Sequence, residues 1–236
     1  MAALVVDPGD AQVVQDVLRA KGLQLSAILV THHHADHTGG VAALRNSTGA
    51  RVYGPARETI PEPLHRLEGG DTVLELGLAF RVLDVPGHTA GHIAYYCADF
   101  SSSPLLFCGD TLFSAGCGRL FEGTPAQMLD SLDALSALPG ATRVCCTHEY
   151  TLSNLKFARA VEPGNSAVAE HVRHCEALRA RAQPTLPSTL ELERRINPFL
   201  RSREAPVIAA ARAHDPHMAE QDGVFATLRH WKNSFR

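Results

Sequence analysis

Short apolar runs that end in Gly, Pro or Thr dominate the chain from its start to about residue 150. Four of them cover residues 27–30, 80–85, 105–108 and 143–146. Runs of this length, rich in aliphatic residues and closed by turn residues, are typical of buried β-strands. Helical stretches such as residues 12–21 and 40–45 lie between them, so this part of the chain is predicted to be an α/β structure.

The pattern changes to helical periodicity after residue 152. Val168, Val172 and Cys175 recur at helical spacing within residues 166–182. A Pro-containing connection follows at residues 183–188, and further helical stretches cover residues 190–196 and 207–213. We therefore predict an α/β domain over residues 1–155 and a small helical domain over residues 156–236.

Histidine or aspartate residues follow each of the four apolar runs. The first run leads into the sequence T-H-H-H-A-D-H at residues 31–37, and the other three lead to His88, Asp110 and His148. Loops at strand ends commonly present the functional groups of a scaffold. If the four strands end at one edge, these side chains are expected to converge.

Imidazole and carboxylate groups are the ligands that suit zinc, manganese and iron, so the convergent set is predicted to bind metal. His32, His34 and His88 are assigned to one ion, and Asp36, His37 and His148 to a second, with Asp110 as the bridge. Dividing the seven residues between two ions in this way agrees with catalytic zinc sites, in which the ion keeps three protein ligands and a water. His33 is left over and is expected to lie at the surface. The alternative without metal binding is a solvated histidine-rich turn.

Composition limits the possible functions. The chain has 236 residues, 45% of them hydrophobic, and a formal net charge of −3. This charge argues against a general nucleic-acid surface, which would need a basic excess. No apolar run approaches the roughly 18 residues of a membrane span, and the first ten residues do not resemble a signal peptide. We expect a cytoplasmic monomer with no membrane or nucleic-acid partner.

The six cysteines form no C-x-x-C pair, which favours free thiols in a reducing compartment. Cys117 lies in a glycine-rich segment near the predicted metal site. A structural role is favoured for it over a nucleophilic one, because metal-bound hydroxide would already supply the nucleophile.

Five motifs make the chain resemble the metallo-β-lactamase superfamily and, within it, the glyoxalase II (hydroxyacylglutathione hydrolase) family. They lie at residues 6–10, 31–37, 86–92, 109–119 and 147–151, in the family's order. The resemblance implies an αββα sandwich followed by a small C-terminal helical domain. It implies the same seven metal ligands, holding two divalent ions for which zinc is preferred over iron or manganese.

The resemblance also implies an activity. The expected reaction is hydrolysis of S-2-hydroxyacylglutathione, such as S-D-lactoylglutathione, to glutathione and a 2-hydroxy acid, the second step of methylglyoxal detoxification. Asp36 and Asp110, with metal-bound hydroxide, are the expected catalytic residues. The ion held by the three histidines would stabilise the oxyanion. Asp7 and His92 are expected to orient the ligands by hydrogen bonds, with a purely structural role for each as the alternative.

The resemblance implies that the substrate contacts are Arg119, Phe121, Tyr150, Arg229 and Lys232. Arg229 and Lys232 lie three residues apart and would share a helix face, where they would bind a glutathione carboxylate. An ordinary solvated tail is the alternative for this pair. The family more often carries Lys at position 119, some members carry Tyr at 121, and Asp is usual at 233, which is Asn233 here.

Two other functions remain open from the sequence. One is a persulfide dioxygenase of the same superfamily, which would use a single iron ion. The other is a non-catalytic protein that binds glutathione without hydrolysing a thioester. Family members also carry about two strands before the segment at residues 4–7. We therefore expect a shortened chain with an open sheet edge, reduced stability and a tendency to associate.

Overall fold

The computed structural model describes residues 1–217 and 223–235, and its first sheet consists of parallel strands. The strands stand in the order β1 (Ala2–Val6), β2 (Gln24–Leu29), β3 (Arg51–Pro55) and β4 (His65–Leu67). Helices α1 (Ala11–Lys21), α2 (Ala35–Thr38) and α3 (Val41–Thr48) connect the first three of them. Asp10 caps the N-terminus of helix α1, where its carboxylate accepts a hydrogen bond from the Gln12 backbone amide.

The second sheet is mixed. Its strands stand in the order β12 (Ser188–Thr189), β11 (Arg143–Val144), β8 (Leu105–Phe107), β7 (Ile93–Cys97), β6 (Leu78–Asp84) and β5 (Thr72–Glu75). Neighbouring strands run antiparallel except β11 and β8, which are parallel. A short hairpin of β9 (Leu112–Phe113) and β10 (Gly116–Cys117) lies between β8 and β11 in the sequence.

The two sheets pack face to face between two layers of helices. Side chains such as Leu29, Phe80 and Tyr95 fill the space between the sheets. Leu44 and other residues of α1 and α3 cover the outer face of the first sheet. The αββα arrangement and the α/β class predicted from the sequence are confirmed, because burial of both faces of each sheet requires helices on the outside.

The outer face of the second sheet is covered by α4 (Pro125–Ser136) and by helices from the C-terminal part. These are α5 (Thr151–Val161), α7 (Leu190–Ile196), α8 (Ala205–His214) and α9 (Gly223–Ser234), while α6 (Ser166–Ala180) packs on α5 and α7. Phe157, Phe199 and Phe225 share one buried cluster with Leu106 of β8. The division predicted after residue 155 falls within α5, so a continuous helix joins the two parts.

A buried carboxylate attaches this helical part to the β9–β10 hairpin. Glu193 of α7 is fully buried and accepts hydrogen bonds from Ala115 N at 2.7 Å and Ser114 Oγ at 2.9 Å. Asn197 donates from Nδ2 to the Gly116 carbonyl at 2.9 Å. The hairpin is thereby held in place next to the strand ends described below. Among the described residues, no helix is long and apolar enough to cross a membrane.

Candidate metal centre

The ends of four strands meet at one edge of the sandwich. The loop after β2 carries the histidine-rich cluster, and the loops after β6, β8 and β11 carry His88, Asp110 and His148. The structure brings all seven predicted ligand residues together in this place. The convergence follows from the topology, since these strands end at the same edge.

Three histidines form the first group of donor atoms. His34 Nδ1 lies 3.1 Å from His32 Nε2 and 3.0 Å from His88 Nε2. His88 Nδ1 donates to the Arg119 carbonyl at 2.9 Å, which leaves the lone pair on its Nε2 directed at the other two rings. Three imidazole nitrogens that face a common point are suited to bind one ion.

Asp36, His37 and His148 form the second group. His148 Nε2 lies 3.4 Å and His37 Nε2 lies 3.6 Å from Asp36 Oδ2. The ligand atoms of this group lie within 4.8 Å of one another. His37 is buried, whereas the Asp36 side chain is 61% exposed and faces the cavity described below.

Asp110 stands between the two groups and turns one oxygen toward each. Its Oδ1 lies 3.4 Å from both His37 Nε2 and His148 Nε2. Its Oδ2 lies 3.5 Å from His88 Nε2. This is the placement of a bridging carboxylate.

Neighbouring side chains fix the orientation of these ligands. Asp7 Oδ2 lies 3.1 Å from His37 Nδ1 and accepts a hydrogen bond from Thr31 Oγ1 at 2.7 Å. The His92 ring stacks on His32, with 4.6 Å between the ring centres, and its Nε2 accepts from the Asp110 amide at 3.2 Å. Hydrogen bonds of this kind set the tautomer and direction of a metal ligand.

Thr147 is a contact that sequence reasoning did not assign. Its hydroxyl lies 2.6 Å from Asp110 Oδ1. The sequence showed Thr147 only as the residue that ends the apolar run 143–146. Because Thr147 and Asp110 are far apart along the chain, no local pattern could reveal their contact. The structure gives Thr147 a direct part in holding the Asp110 carboxylate.

Gly109 permits this close packing. Its φ of 48° lies in the left-handed region, and a Cβ at this position would be 2.3 Å from Thr31 Oγ1. It would also be 2.7 Å from the His92 ring. Any larger residue would displace the groups that orient Asp110.

The electrostatic environment differs between the two groups of donor atoms. Burial lowers the pKa of His88, whereas the hydrogen bond with Asp110 raises the pKa of His148, and the contacts with Asp7 outweigh burial and raise the pKa of His37.

Burial, and then the neighbouring histidines, lower the pKa of His32, and burial lowers the pKa of His92 to about 3. Burial alone would raise the pKa of Asp110, but hydrogen bonds from His148 and Thr147 outweigh it and lower this pKa to about 2. At neutral pH His32 and His92 are therefore neutral and Asp110 is charged, and for the predicted ligands His32 and Asp110 these are the forms that coordination requires.

The cluster has the character of a metal site. His37 Nε2 is buried and has no hydrogen-bond partner among residues 1–217 and 223–235, although carboxylate oxygens of Asp36 and Asp110 lie 3.4 to 3.6 Å away. A buried polar atom without a partner is unfavourable unless another group satisfies it. The nitrogen and oxygen donors present here fit zinc, iron or manganese.

A cavity of about 620 Å³ opens from this cluster toward α5 and α9. Phe121 and Tyr150 are exposed at its mouth. The Phe121 ring lies edge-on to His34 and His88, and the Tyr150 ring stacks on His148 with 5.0 Å between ring centres. An organic ligand in this cavity would contact both aromatic rings and the candidate metal ligands.

Three cationic side chains line the same cavity. Arg229 is buried and donates from Nη1 to the Cys117 carbonyl at 2.8 Å, while Lys232 Nζ donates to the Ser153 carbonyl at 3.2 Å. Arg119 is the third. Burial, followed by the charge of Arg229, lowers the pKa of Lys232 to about 8. The wall formed by Arg119, Arg229 and Lys232, called the cationic wall below, is suited to an anionic ligand.

Predictions were also made from the sequence for two residues near the site, His33 and Cys117. His33 was predicted to lie at the surface; its side chain is half-buried, with 31% of it exposed, and it bonds to the buried carboxylate of Glu58. The segment of residues 56–59 gave no signal in the sequence that could have revealed this contact. Cys117 is buried and burial raises the pKa of its thiol, which agrees with a structural role.

The fold and the site together define a class of protein. Residues 2–148 match the model of the metallo-beta-lactamase superfamily, and residues 149–235 match the model of the hydroxyacylglutathione hydrolase C-terminus. ETHE1 from Myxococcus xanthus, a solved structure, is similar over 98% of this chain and 88% of its own, with 25% identity and a TM-score of 0.61. The di-iron-bound form of TTHA1623 is similar over 83% of this chain and 87% of its own, with 29% identity and a TM-score of 0.59.

Relatives with much higher identity narrow the class. The hydroxyacylglutathione hydrolase of Albidiferax ferrireducens is 67% identical over 99% of this chain and 91% of its own length. That of Pseudomonas aeruginosa is 58% identical over 98% of this chain and 90% of its own length. The chain therefore belongs to the hydroxyacylglutathione hydrolase family, the glyoxalase II branch of the metallo-beta-lactamase superfamily.

Proposed function

We propose that this protein hydrolyses S-2-hydroxyacylglutathione thioesters to glutathione and a 2-hydroxy acid. The observation that carries the proposal is the position of Asp110 between two groups of donor atoms, at the head of a cavity with a cationic wall. The names of the highly similar relatives support the same substrate class. S-D-lactoylglutathione is the preferred substrate in this proposal, with D-lactate as product, which would place the enzyme in methylglyoxal detoxification.

We assign two divalent ions to the seven ligands, with zinc preferred over iron and manganese. His32, His34 and His88 would hold one ion, Asp36, His37 and His148 the other, and Asp110 would contact both. Such ions supply a nucleophile at neutral pH by lowering the pKa of bound water, and they polarise a carbonyl oxygen. The neutral imidazole of His32 and the charged carboxylate of Asp110 support this assignment.

The side chains of the site have separate tasks in the reaction. Asp36, whose carboxylate is exposed to the cavity, would accept a hydrogen bond from the attacking water and orient it. Asp7 and His92 would hold His37 and Asp110 in position through the bonds at 3.1 and 3.2 Å. Departure of the product thiolate needs no acid from the protein, because thiols of the cysteine type ionise at about pH 8.5.

The substrate would lie along the cavity with its thioester at the metal centre. Arg119, Arg229 and Lys232 would bind the carboxylates of the glutathione part, since charge-assisted hydrogen bonds are strong in a partly buried site. Phe121 and Tyr150 would contact the part of the substrate nearest the mouth. We further propose a cytoplasmic monomer without nucleic-acid or membrane partners, built of a catalytic part up to residue 155 and a substrate-binding part after it.

The test is thioester hydrolysis by metal-reconstituted protein. The variants His88→Ala and Asp110→Ala should lose at least about 100-fold in kcat, because each removes a ligand whose group has no replacement. His65→Ala is the matched control, since His65 is exposed on β4 and stacks on Tyr53, away from the seven predicted ligands. Near-normal turnover by either ligand variant would refute the assignment, and oxygen uptake with a persulfide substrate would support a dioxygenase instead.

A further inference from the structure

Glu58 is a buried acid that none of the motifs includes. It follows β3, and its side chain is only 2% exposed. It lies between the loop that carries His32 and His34 and the loop that carries His88. A charged group in such a place requires hydrogen bonds from its surroundings.

One oxygen of this carboxylate binds the first loop. Glu58 Oε2 accepts from the backbone N–H of His33 at 2.6 Å and lies 3.0 Å from Nδ1 of the same residue. His33 stands between the ligands His32 and His34 in the sequence. Because these contacts hold both the backbone and the ring of His33, they also restrain the orientation of the His32 and His34 side chains.

The other oxygen binds the second loop. Glu58 Oε1 accepts from the Thr89 hydroxyl and from the Gly91 backbone N–H, the latter at 3.1 Å. Thr89 is adjacent to the ligand His88. A Cβ on Gly91 would lie 2.6 Å from the Glu58 Cγ atom, so glycine is needed for this approach.

A second acid braces the same two loops. Glu122 Oε2 accepts from the Ala90 backbone N–H at 2.7 Å, and its Oε1 lies 3.4 Å from His33 Nε2. His33 is thus held at both ring nitrogens, by Glu58 and by Glu122. The arrangement explains why this histidine is half-buried and outside the candidate ligand set.

We infer that Glu58 is a positioning residue for the three-histidine group, because its two oxygens join the two loops that supply that group. The contact maintains the 3.0 Å separation between His34 Nδ1 and His88 Nε2. Charge-assisted bonds from four donors restrain both loops more strongly than neutral bonds would. The inference rests on the proposed metal-dependent function, but it concerns metal affinity, which is measured without substrate.

The informative variant is Glu58→Gln, which keeps the size of the side chain. Its amide oxygen can accept from one loop, but its NH₂ group then faces donors of the other loop. Loss of contacts that orient ligands weakens metal binding by about 10- to 100-fold. Zinc affinity is to be measured in a His148→Ala background. The second group is then incomplete, so bound zinc reports on the three-histidine group.

Glu75→Gln is the matched control. The Glu75 side chain is also 2% exposed and accepts from Arg51 Nη2 and Tyr53 Oη, each at 2.9 Å, away from the ligand loops. Both substitutions are expected to lower the melting temperature of the metal-free protein. Only Glu58→Gln should weaken zinc binding in competition with a chelator, whereas a purely structural role would leave affinity equal in the two variants.

Each outcome decides the inference. Zinc affinity of Glu58→Gln within about twofold of its parent would overturn it, as would failure of the His148→Ala parent to bind zinc. If Glu58→Gln does not fold, His33→Ala and Thr89→Val each remove one donor side chain and should show a smaller loss. Unchanged affinity in both would also overturn it. Zinc binding without thioester hydrolysis would refute the proposed function and leave the inference about Glu58 standing.

Discussion

Lys232 should make substrate capture sensitive to pH in the mildly alkaline range. Burial, then the charges of Arg229, Arg119 and Lys156, lower its pKa to about 8, while Cys117 acts in the opposite direction. The ammonium is therefore present below pH 8 and is lost above it. An anionic substrate held by the cationic wall would lose one of its charged contacts over the same range.

The size of the effect follows from this pKa. With a pKa of about 8, about nine tenths of Lys232 is charged at pH 7 and about one tenth at pH 9. A hydrogen bond to a charged group contributes about 1.5 to 3 kcal/mol, so the uncharged form binds more than tenfold more weakly. The value of kcat/KM, which reports the free enzyme, should therefore fall up to about tenfold between pH 7 and pH 9.

The assay compares the protein with Lys232→Arg and Lys232→Met over pH 6.5 to 9.5, after subtraction of spontaneous thioester hydrolysis. Arginine stays charged over this range, so Lys232→Arg should lose the alkaline decline. Lys232→Met should show a low kcat/KM with no step near pH 8. The ratio of the unsubstituted protein to Lys232→Arg cancels titrations at the metal centre that both proteins share.

Two results would refute this reasoning. If the ratio to Lys232→Arg stays constant from pH 7 to pH 9, either the pKa of Lys232 is not lowered or its charge does not contact substrate. If Lys232→Met keeps full kcat/KM at pH 7, the ammonium makes no contribution. In the second case the carboxylate of the substrate would have to be bound by Arg119 and Arg229 alone.

Four further changes test other parts of the structure. Thr147→Val removes the 2.6 Å bond to Asp110 and should lower kcat about tenfold, measured with metal-saturated protein. Chelation of the metal should lower the melting temperature, because ligand binding at about 1,000 times Kd stabilises by about 4 kcal/mol. Asn197→Ala leaves the Gly116 carbonyl without its donor and should cost about 1–3 kcal/mol in urea unfolding. Phe157→Ala, at a fully buried ring, should cost about 3–5 kcal/mol by the same measurement.

The local patterns of the sequence were sufficient for much of the fold and for the candidate ligands. Strands β2, β6, β8 and β11 were visible as apolar runs, and each ligand follows its strand within a few residues. These features could be predicted from local patterns because strand, turn and ligand are close together along the chain. The spacing within residues 31–37 likewise separated His32 and His34 from His33.

Contacts between distant segments could not be predicted in this way. Glu58 and His33 are 25 residues apart, and Glu193 and Ser114 are 79 apart. Each acid interrupts no periodic pattern, so its burial becomes evident only when the segments pack. The sequence likewise placed Arg229 on a shared helix face with Lys232, but its burial against Phe199 depends on the packing of α9.

Helix α9 links stability to substrate binding. Phe225 and Leu228 belong to the core cluster on the outer face of the second sheet, while Arg229 and Lys232 of the same helix line the cavity. The Arg229 bond to the Cys117 carbonyl at 2.8 Å then connects this helix to the hairpin that follows Asp110. Because one rigid helix serves both purposes, the distance between the cationic wall and the metal centre is set by core packing. Substitutions at Leu228 should therefore change KM as well as stability.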